Sequence, residues 1–133
     1  LSFMAVIFVA SSPVTGASKC PTAQTTLEVN QCLSDDLEVV AAEQTTYLAA
    51  AQERIMDESQ LKLMLSSEQK AWENYREIHC DNVYDYWAQG TIRVAKNLTC
   101  SAELTRERTH DIWRAFLRYA DSTPPILPEP ELQ

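Results

Sequence analysis

The fold of this chain is decided by one stretch, EQKAWENYREIHC, which occupies residues 68–80. Large side chains recur in it at steps of three and four residues, at Trp72, Tyr75 and His79. This spacing places them along one side of a helix. The pattern therefore predicts a long helix that ends near Cys80.

A first helix is predicted upstream of this stretch. The residues Thr25-Thr26-Leu27-Glu28 have the spacing of a capping box, so the helix is expected to begin near Thr26. Apolar residues then recur at helical spacing to about Met56. The polar stretch at residues 57–59 is the expected break before the second helix.

A third helix is predicted from Ser101 to about Tyr119, again from the spacing of apolar residues. Between Cys80 and Cys100 the apolar pattern weakens, which predicts a mostly irregular loop. The chain contains only two glycines and is rich in Ala, Leu, Glu and Gln, a composition that favours helices. The predicted fold class is all-α: a three-helix antiparallel bundle with a disulfide-closed loop between helices 2 and 3.

The amino-terminal residues 1–18 carry no charge and are apolar from Phe3 to Ala10. Thr15 and Ala17 follow in a small-x-small cleavage pattern, so the segment is interpreted as a signal peptide. Its apolar run is shorter than the roughly 20 residues needed to span a bilayer, although an uncleaved anchor is the alternative. We expect a periplasmic or secreted protein, with no membrane partner after signal removal.

Two segments follow the predicted signal peptide. Residues 19–120 form the expected helical domain, and residues 121–133 contain four prolines at positions 124, 125, 128 and 130. Because proline cannot continue a helix, this Pro-rich tail is expected to be extended and disordered.

The four cysteines of the chain are Cys20, Cys32, Cys80 and Cys100. An even number of cysteines in a small exported domain indicates disulfide bonds. Three pairings are possible, and proximity in the sequence favours Cys20 with Cys32 and Cys80 with Cys100. A zinc site that uses these thiolates and His79 is the rival interpretation, but no C-x-x-C pair supports it, and we expect no metal.

The chain has a net charge of −8, which the neutral signal segment does not change. Such a charge disfavours a nucleic-acid partner or an anionic membrane and would attract a cationic protein. Solubility is the simpler explanation of the same charge. The sequence therefore allows a cationic partner without requiring one.

No pattern of catalytic residues is visible. A nucleophilic dyad would need His79 or His110 beside an activated serine or a free cysteine, and export is expected to oxidise Cys80. Phosphate-binding glycine loops and the common zinc and hydrolase motifs do not occur in the sequence. We therefore expect neither an enzyme nor a bound cofactor.

The stretch at residues 68–80 resembles the signature of the lysozyme inhibitor LprI N-terminal domain family: a Gln, an Ala-Trp, a Tyr-Arg and a closing Cys. A second stretch resembles the family's Gly-[Ser/Thr] loop at Gly90-Thr91 and its downstream cysteine at Cys100. The Leu-Thr-x-x-Arg pattern at which the family's next helix begins follows at Leu104–Arg108. Together with Cys20 and Cys32, the resemblance covers the chain to about Tyr119. It departs at Glu43-Gln44 before Tyr47, where relatives usually show Leu-Asn, so the role of that asparagine is in doubt here.

Most residues of the resembling motifs are interpreted as structural. Trp72 and Tyr75 share one stripe and are expected to contribute apolar area to the core, as is Leu104. Arg76 and Arg108 are expected to bond carboxylates or carbonyls near the disulfide, with ligand binding as the alternative. Gly90 is expected to be a turn residue with a positive φ.

The resemblance implies that the protein binds and inhibits lysozyme, or another cationic protein, without catalysis. The candidate contact surface lies in the loop between the last two cysteines, where large aromatic residues of the kind enriched at binding hot spots are flanked by carboxylates. These candidates are Asp81, Tyr84, Asp85, Tyr86 and Trp87. In the simpler interpretation, the aromatic residues only cover the helix pair. The alternative function is a periplasmic interaction module of the cell envelope with an unidentified partner.

Overall fold

The computed structural model describes residues 19–55 and 58–133. Within them the chain forms three helices, α1 (Thr26–Arg54), α2 (Ser59–Tyr86) and α3 (Arg93–Ile112), and α3 continues into a π-helical turn at Trp113–Leu117. None of the helices described is both long enough and apolar enough to cross a membrane. The predicted signal peptide lies outside the described residues.

The start of α1 is the capping box that the sequence predicts. The Thr25 hydroxyl accepts a hydrogen bond from the Glu28 N–H, and the Glu28 carboxylate accepts one from the Thr25 N–H at 3.0 Å. The Gln24 N–H also donates to this carboxylate, and these backbone donors lower the pKa of Glu28. Local sequence alone therefore sets the beginning of α1 at Thr26.

The boundaries predicted for the other two helices are wrong on one side each. α2 continues past Cys80 to Tyr86, and α3 begins at Arg93 rather than Ser101, so only residues 87–92 connect them. Helical spacing of apolar residues appears only where one side of a helix is buried, and residues 81–86 bury little surface. The pattern therefore fades at this end of the helix pair although the helices continue.

The helices alternate in direction, as the predicted antiparallel bundle requires. Helices α1 and α3 are parallel, because residues further along α1 contact residues further along α3. Asp36 contacts Arg106, and Arg54 donates to the carbonyl of Phe116. Contacts between α2 and α3 run in opposite order: Cys80 with Cys100, and Gln69 with Arg108. Because α3 packs against both other helices, it is the central element of the bundle.

The apolar core lies at the end of the bundle where α1 connects to α2. All three helices contribute to it, through Tyr47, Ala51, Leu65, Ile112, Trp113 and Leu117. Ile112 and Leu117 are completely buried, and burial of such a side chain stabilises the fold by roughly 1.5–3 kcal/mol. The opposite end of the bundle has no comparable cluster among the described residues and is held by disulfides instead.

The Pro-rich tail, for which the sequence predicts an extended and disordered segment, contacts this core. The buried Tyr47 hydroxyl donates to the carbonyl of Pro128 at 2.7 Å, and the Trp113 indole N–H donates to the carbonyl of Leu127 at 2.9 Å. The Leu127 side chain packs against the core cluster. The prolines do prevent a helix, but the carbonyls that they leave free satisfy two buried aromatic donors.

Removal of residues 124–133 should therefore destabilise the protein by about 3 kcal/mol. The deletion removes the packing of Leu127, the two carbonyls that accept from Tyr47 and Trp113, and the hydrogen bond from the Ile126 N–H to the carbonyl of Leu117. Urea unfolding followed by circular dichroism measures the change. The control is removal of residues 131–133 alone, which are exposed, and it should leave the midpoint unchanged. Equal midpoints for the intact and the 124–133-deleted protein would show that the tail contributes nothing.

Candidate functional site

The motif residues of α2 and α3 meet in a buried polar layer in the middle of the bundle. Gln69 is its centre: its carbonyl oxygen accepts a hydrogen bond from Arg108 Nε at 3.1 Å, and its amide donates to Gln44 Oε1 at 3.2 Å. Gln44 in turn donates to the carbonyl of Thr105. One chain of hydrogen bonds thus connects α1, α2 and α3.

Both motif arginines donate hydrogen bonds to residues of this layer. Arg108 is buried and also pairs with the Glu68 carboxylate, while Arg76 donates to the Thr105 hydroxyl at 3.2 Å. Arg108 thus bonds one carbonyl oxygen, that of the Gln69 side chain, and one carboxylate, that of Glu68, which are the partner groups expected for the motif arginines. Arg76 instead takes a hydroxyl as its partner.

Gln44 connects α1 to the polar layer. Its side-chain oxygen accepts a hydrogen bond from the Gln69 amide, and its own amide donates to the carbonyl of Thr105. The sequence alone could not reveal this role, because its partners lie 25 and 61 residues away.

The large motif side chains divide between the interior and the surface. Trp72 and Leu104 are half-buried, and the Arg76 guanidinium lies 5.0 Å from the centre of the Trp72 ring. Tyr75 is 54% exposed and stacks on His79 with ring centres 5.5 Å apart. The expectation that Tyr75 contributes to the core is therefore wrong.

Gly90 does not have the positive φ expected of it, since no glycine among the described residues has one. A Cβ atom added at this position would lie 3.5 Å from the Ile92 side chain, which is an ordinary contact. Gly90 is therefore not required by the backbone conformation of the turn. Its N–H bonds the carbonyl of Trp87 within the short connection.

Both disulfides have the predicted pairing, Cys20 with Cys32 and Cys80 with Cys100. The rival zinc site is thereby overturned, because all four sulfurs are used in disulfides. Within residues 19–55 and 58–133, no group of three or more His, Cys, Asp or Glu side chains could hold a metal ion. Cys80 lies within α2 and Cys100 within α3, so their bond clamps two helices rather than closing an irregular loop.

Beyond this clamp, residues 81–99 form a helical hairpin end that carries the candidate contact residues. Tyr84 is half-buried, hydrogen-bonded by Arg93, and covered by the Arg93 guanidinium at 3.9 Å from the ring centre. The Lys96 ammonium lies 4.9 Å from the centre of the Trp87 ring. Two of the predicted aromatic residues therefore pair with cations of the same chain.

The other three candidates are exposed to solvent. Tyr86 is 82% exposed, and Asp81 and Asp85 on the same helix are exposed as well. Tyr86 also makes an edge contact with Trp87, at 5.5 Å between ring centres. The five predicted residues are thus brought to one end of the bundle, but Tyr84 and Trp87 lie on its basic side.

Two grooves flank α3 near this end. The groove between α1 and α3, of about 470 Å³, has an apolar floor that includes Val29, Leu33 and Ala95. The groove between α2 and α3, of about 360 Å³, is lined by three carboxylates, those of Glu73, Glu77 and Asp81, and by one cation, Arg76. The carboxylates outnumber the cation, so this groove adds to the negative potential on the side of α2 that carries the candidate aspartates.

Sequence reasoning missed one buried ion pair that closes the α1–α3 interface. Arg106, which is buried, bonds the Asp36 carboxylate, and Lys19 lies 3.7 Å from the same carboxylate. A buried arginine needs such a partner, but no local pattern identifies one that lies 70 residues away.

These features define a small helical domain whose bundle is stapled by two disulfides and which presents an acidic, aromatic hairpin end. A family model described as Lysozyme inhibitor LprI matches residues 17–112. The chain therefore belongs to the LprI lysozyme inhibitor family. No curated protein and no solved structure matches it.

Replacement of the buried arginine should show how much the polar layer contributes to stability. Arg108→Met keeps the apolar stem but leaves the Gln69 carbonyl without its donor, so the free energy of unfolding should fall by about 2–3 kcal/mol. Urea unfolding measures it, with the exposed neighbour variant Glu107→Gln as control. If both variants unfold at the same urea concentration, the layer is not stabilising.

Gly90→Ala tests the conformation of the connection between α2 and α3. The φ of Gly90 is not positive, and an added Cβ meets only ordinary contacts. The substitution should therefore stabilise the protein by about 0.5 kcal/mol, because alanine lowers the conformational entropy of the unfolded chain. Thermal unfolding measures the shift. A loss of stability would mean that this turn needs a backbone conformation that only glycine adopts.

Proposed function

We propose that this protein is an exported inhibitor that binds lysozyme or a similarly basic cell-wall hydrolase and blocks it by occupancy rather than by catalysis. The observation that carries the proposal is the family match over residues 17–112. The two disulfides support export, because such bonds persist in oxidising compartments. Residues 1–18 would serve as the signal peptide.

The charge of the chain supports a basic partner. With a net charge of −8, the protein attracts a cationic enzyme over several ångströms, which raises the association rate. This attraction weakens with salt, because the Debye length falls to about 8 Å at physiological ionic strength. Specific affinity must then come from close contacts.

The hairpin end supplies candidates for such contacts. Tyr86 is mostly exposed next to Asp85, and tyrosine is enriched among residues that dominate binding energy. The Cys80–Cys100 disulfide holds both helices behind it, which lowers the conformational entropy lost on binding. Asp81, one helical turn before Asp85, adds a second exposed carboxylate to the proposed contact.

Binding without catalysis is consistent with how the reactive side chains are used. The cysteines are paired in disulfides, so none of them is a thiolate nucleophile. His79 stacks on Tyr75, and His110 shares a hydrogen bond with the exposed Glu129. Neither histidine is thus engaged with a serine or cysteine in the way that a nucleophilic dyad requires.

Lysis of bacterial cell walls by lysozyme should fall in a saturable manner as purified, disulfide-oxidised protein is added. The inhibition should persist at physiological salt, because contacts at the hairpin end outlast the screening of long-range charge. Turbidity of a cell-wall suspension measures lysis. An unrelated protein of equal negative charge is the control, and its effect should disappear as salt is added.

Inhibition no greater than that of the acidic control would contradict the proposal. The partner would then be some other protein of the cell envelope, bound by the same domain.

A further inference from the structure

Helix α2 carries an exposed apolar stripe on its outer side. Tyr75 is 54% exposed, Ile78 is 55% exposed and Tyr86 is 82% exposed. Their spacing of three and eight residues places them along one side of the helix. Exposed apolar side chains are ordinary when scattered, but a row of three on one helix side is typical of a contact surface.

A row of carboxylates borders this stripe on the side of the groove between α2 and α3, which Glu77 and Asp81 also line. Glu77, Asp81 and Asp85 follow each other at four-residue steps, so they lie one turn apart along α2, and all three are exposed. No ion pair among the described residues includes any of them. Like charges at this spacing each cost the helix a few tenths of a kcal/mol, which a cationic partner would offset.

The α3 side of the same hairpin end has the opposite charge. The Arg93 guanidinium covers Tyr84, and the Lys96 ammonium lies over Trp87. A cationic protein that approached Trp87 from this side would meet both charges. The α2 side of the hairpin end therefore favours a cationic partner, and the α3 side disfavours one.

We propose that a basic protein binds the outer face of α2, defined as Tyr75, Ile78 and Tyr86 with the bordering Glu77, Asp81 and Asp85, and that the turn around Trp87 stays outside the interface. This assignment rests on the proposed function and specifies its surface. The partner surface would be an apolar spot surrounded by Lys or Arg side chains. The contact is a helix laid across the enzyme rather than a loop inserted into it.

Charge decides between this partner and a second copy of the chain. Two copies that met symmetrically through this face would place both carboxylate rows in the same interface, where they repel. An anionic membrane is disfavoured for the same reason. A basic protein satisfies the apolar stripe and the carboxylate row together.

The face is also held in place before binding. Cys80 lies between Ile78 and Asp81 in the chain, is buried, and joins α2 to α3. Tyr75 is stacked on His79 with the two rings 12° from parallel. Less conformational entropy is then lost when the surface becomes ordered in a complex.

The test is binding of the full-length, oxidised protein to a basic lysozyme, measured by surface plasmon resonance together with inhibition of lysis. Tyr75→Ser combined with Ile78→Ser should raise Kd at least about tenfold, as loss of central contacts does. The matched control removes two exposed apolar residues from α1, Leu27→Ser with Val39→Ser, and should change Kd less than about twofold. Thermal unfolding checks that all variants fold.

A charge pair tests the carboxylate row independently. Asp81→Asn with Asp85→Asn should slow association and weaken its salt dependence more than Glu103→Gln with Glu107→Gln, which removes the same charge from exposed positions on α3. Trp87→Phe, which keeps an aromatic ring beside Tyr86, should leave Kd within about twofold of the wild type, because contacts outside an interface contribute little.

The outcomes separate the two proposals. If the wild type neither binds nor inhibits lysozyme, the proposed function fails, and this assignment fails with it. If the wild type inhibits but the α2 and α1 apolar pairs weaken binding equally, or Trp87→Phe weakens it tenfold, only the assignment of the face is overturned.

Discussion

The fold depends on the hydrogen bonds that Gln69 makes in the middle of the bundle. Its single side chain accepts from Arg108 of α3 and donates to Gln44 of α1, so one amide positions all three helices. Buried polar groups tolerate few alternative arrangements, since each lost partner costs about 1–3 kcal/mol. The layer therefore favours one register of the helices over others that would bury similar apolar area.

This layer separates two ends that are stabilised differently. On one side lies the apolar core around Ile112 and Leu117, closed by the Pro-rich tail. On the other side the helices continue with little burial and are held by the Cys80–Cys100 disulfide. A disulfide needs no surrounding core, so the helix faces at this end remain free to contact another protein.

That division explains how a small domain can expose aromatic and apolar side chains without losing its fold. Stability comes from the core, the polar layer and the disulfides, whereas Tyr86 and the other exposed residues of α2 contribute little to it. The basic side chains of α3 cover Tyr84 and Trp87, and the carboxylates of α2 stay exposed. The hairpin end therefore carries charges of opposite sign on the sides formed by α2 and α3.

The sequence by itself determined the helical class, the start of α1, the disulfide pairs and the resemblance to the family, because capping boxes, helical periods and close cysteines act over short distances. Only the tertiary structure decided the ends of α2 and α3, the contacts of the tail, the roles of Gln44 and Arg106, and the exposure of Tyr75. Each of these depends on partners many residues away or on which side of a helix is left uncovered. Helical spacing of apolar residues does not distinguish a face buried in the core from a face left exposed, as Tyr75 shows, and it does not identify partners far along the chain.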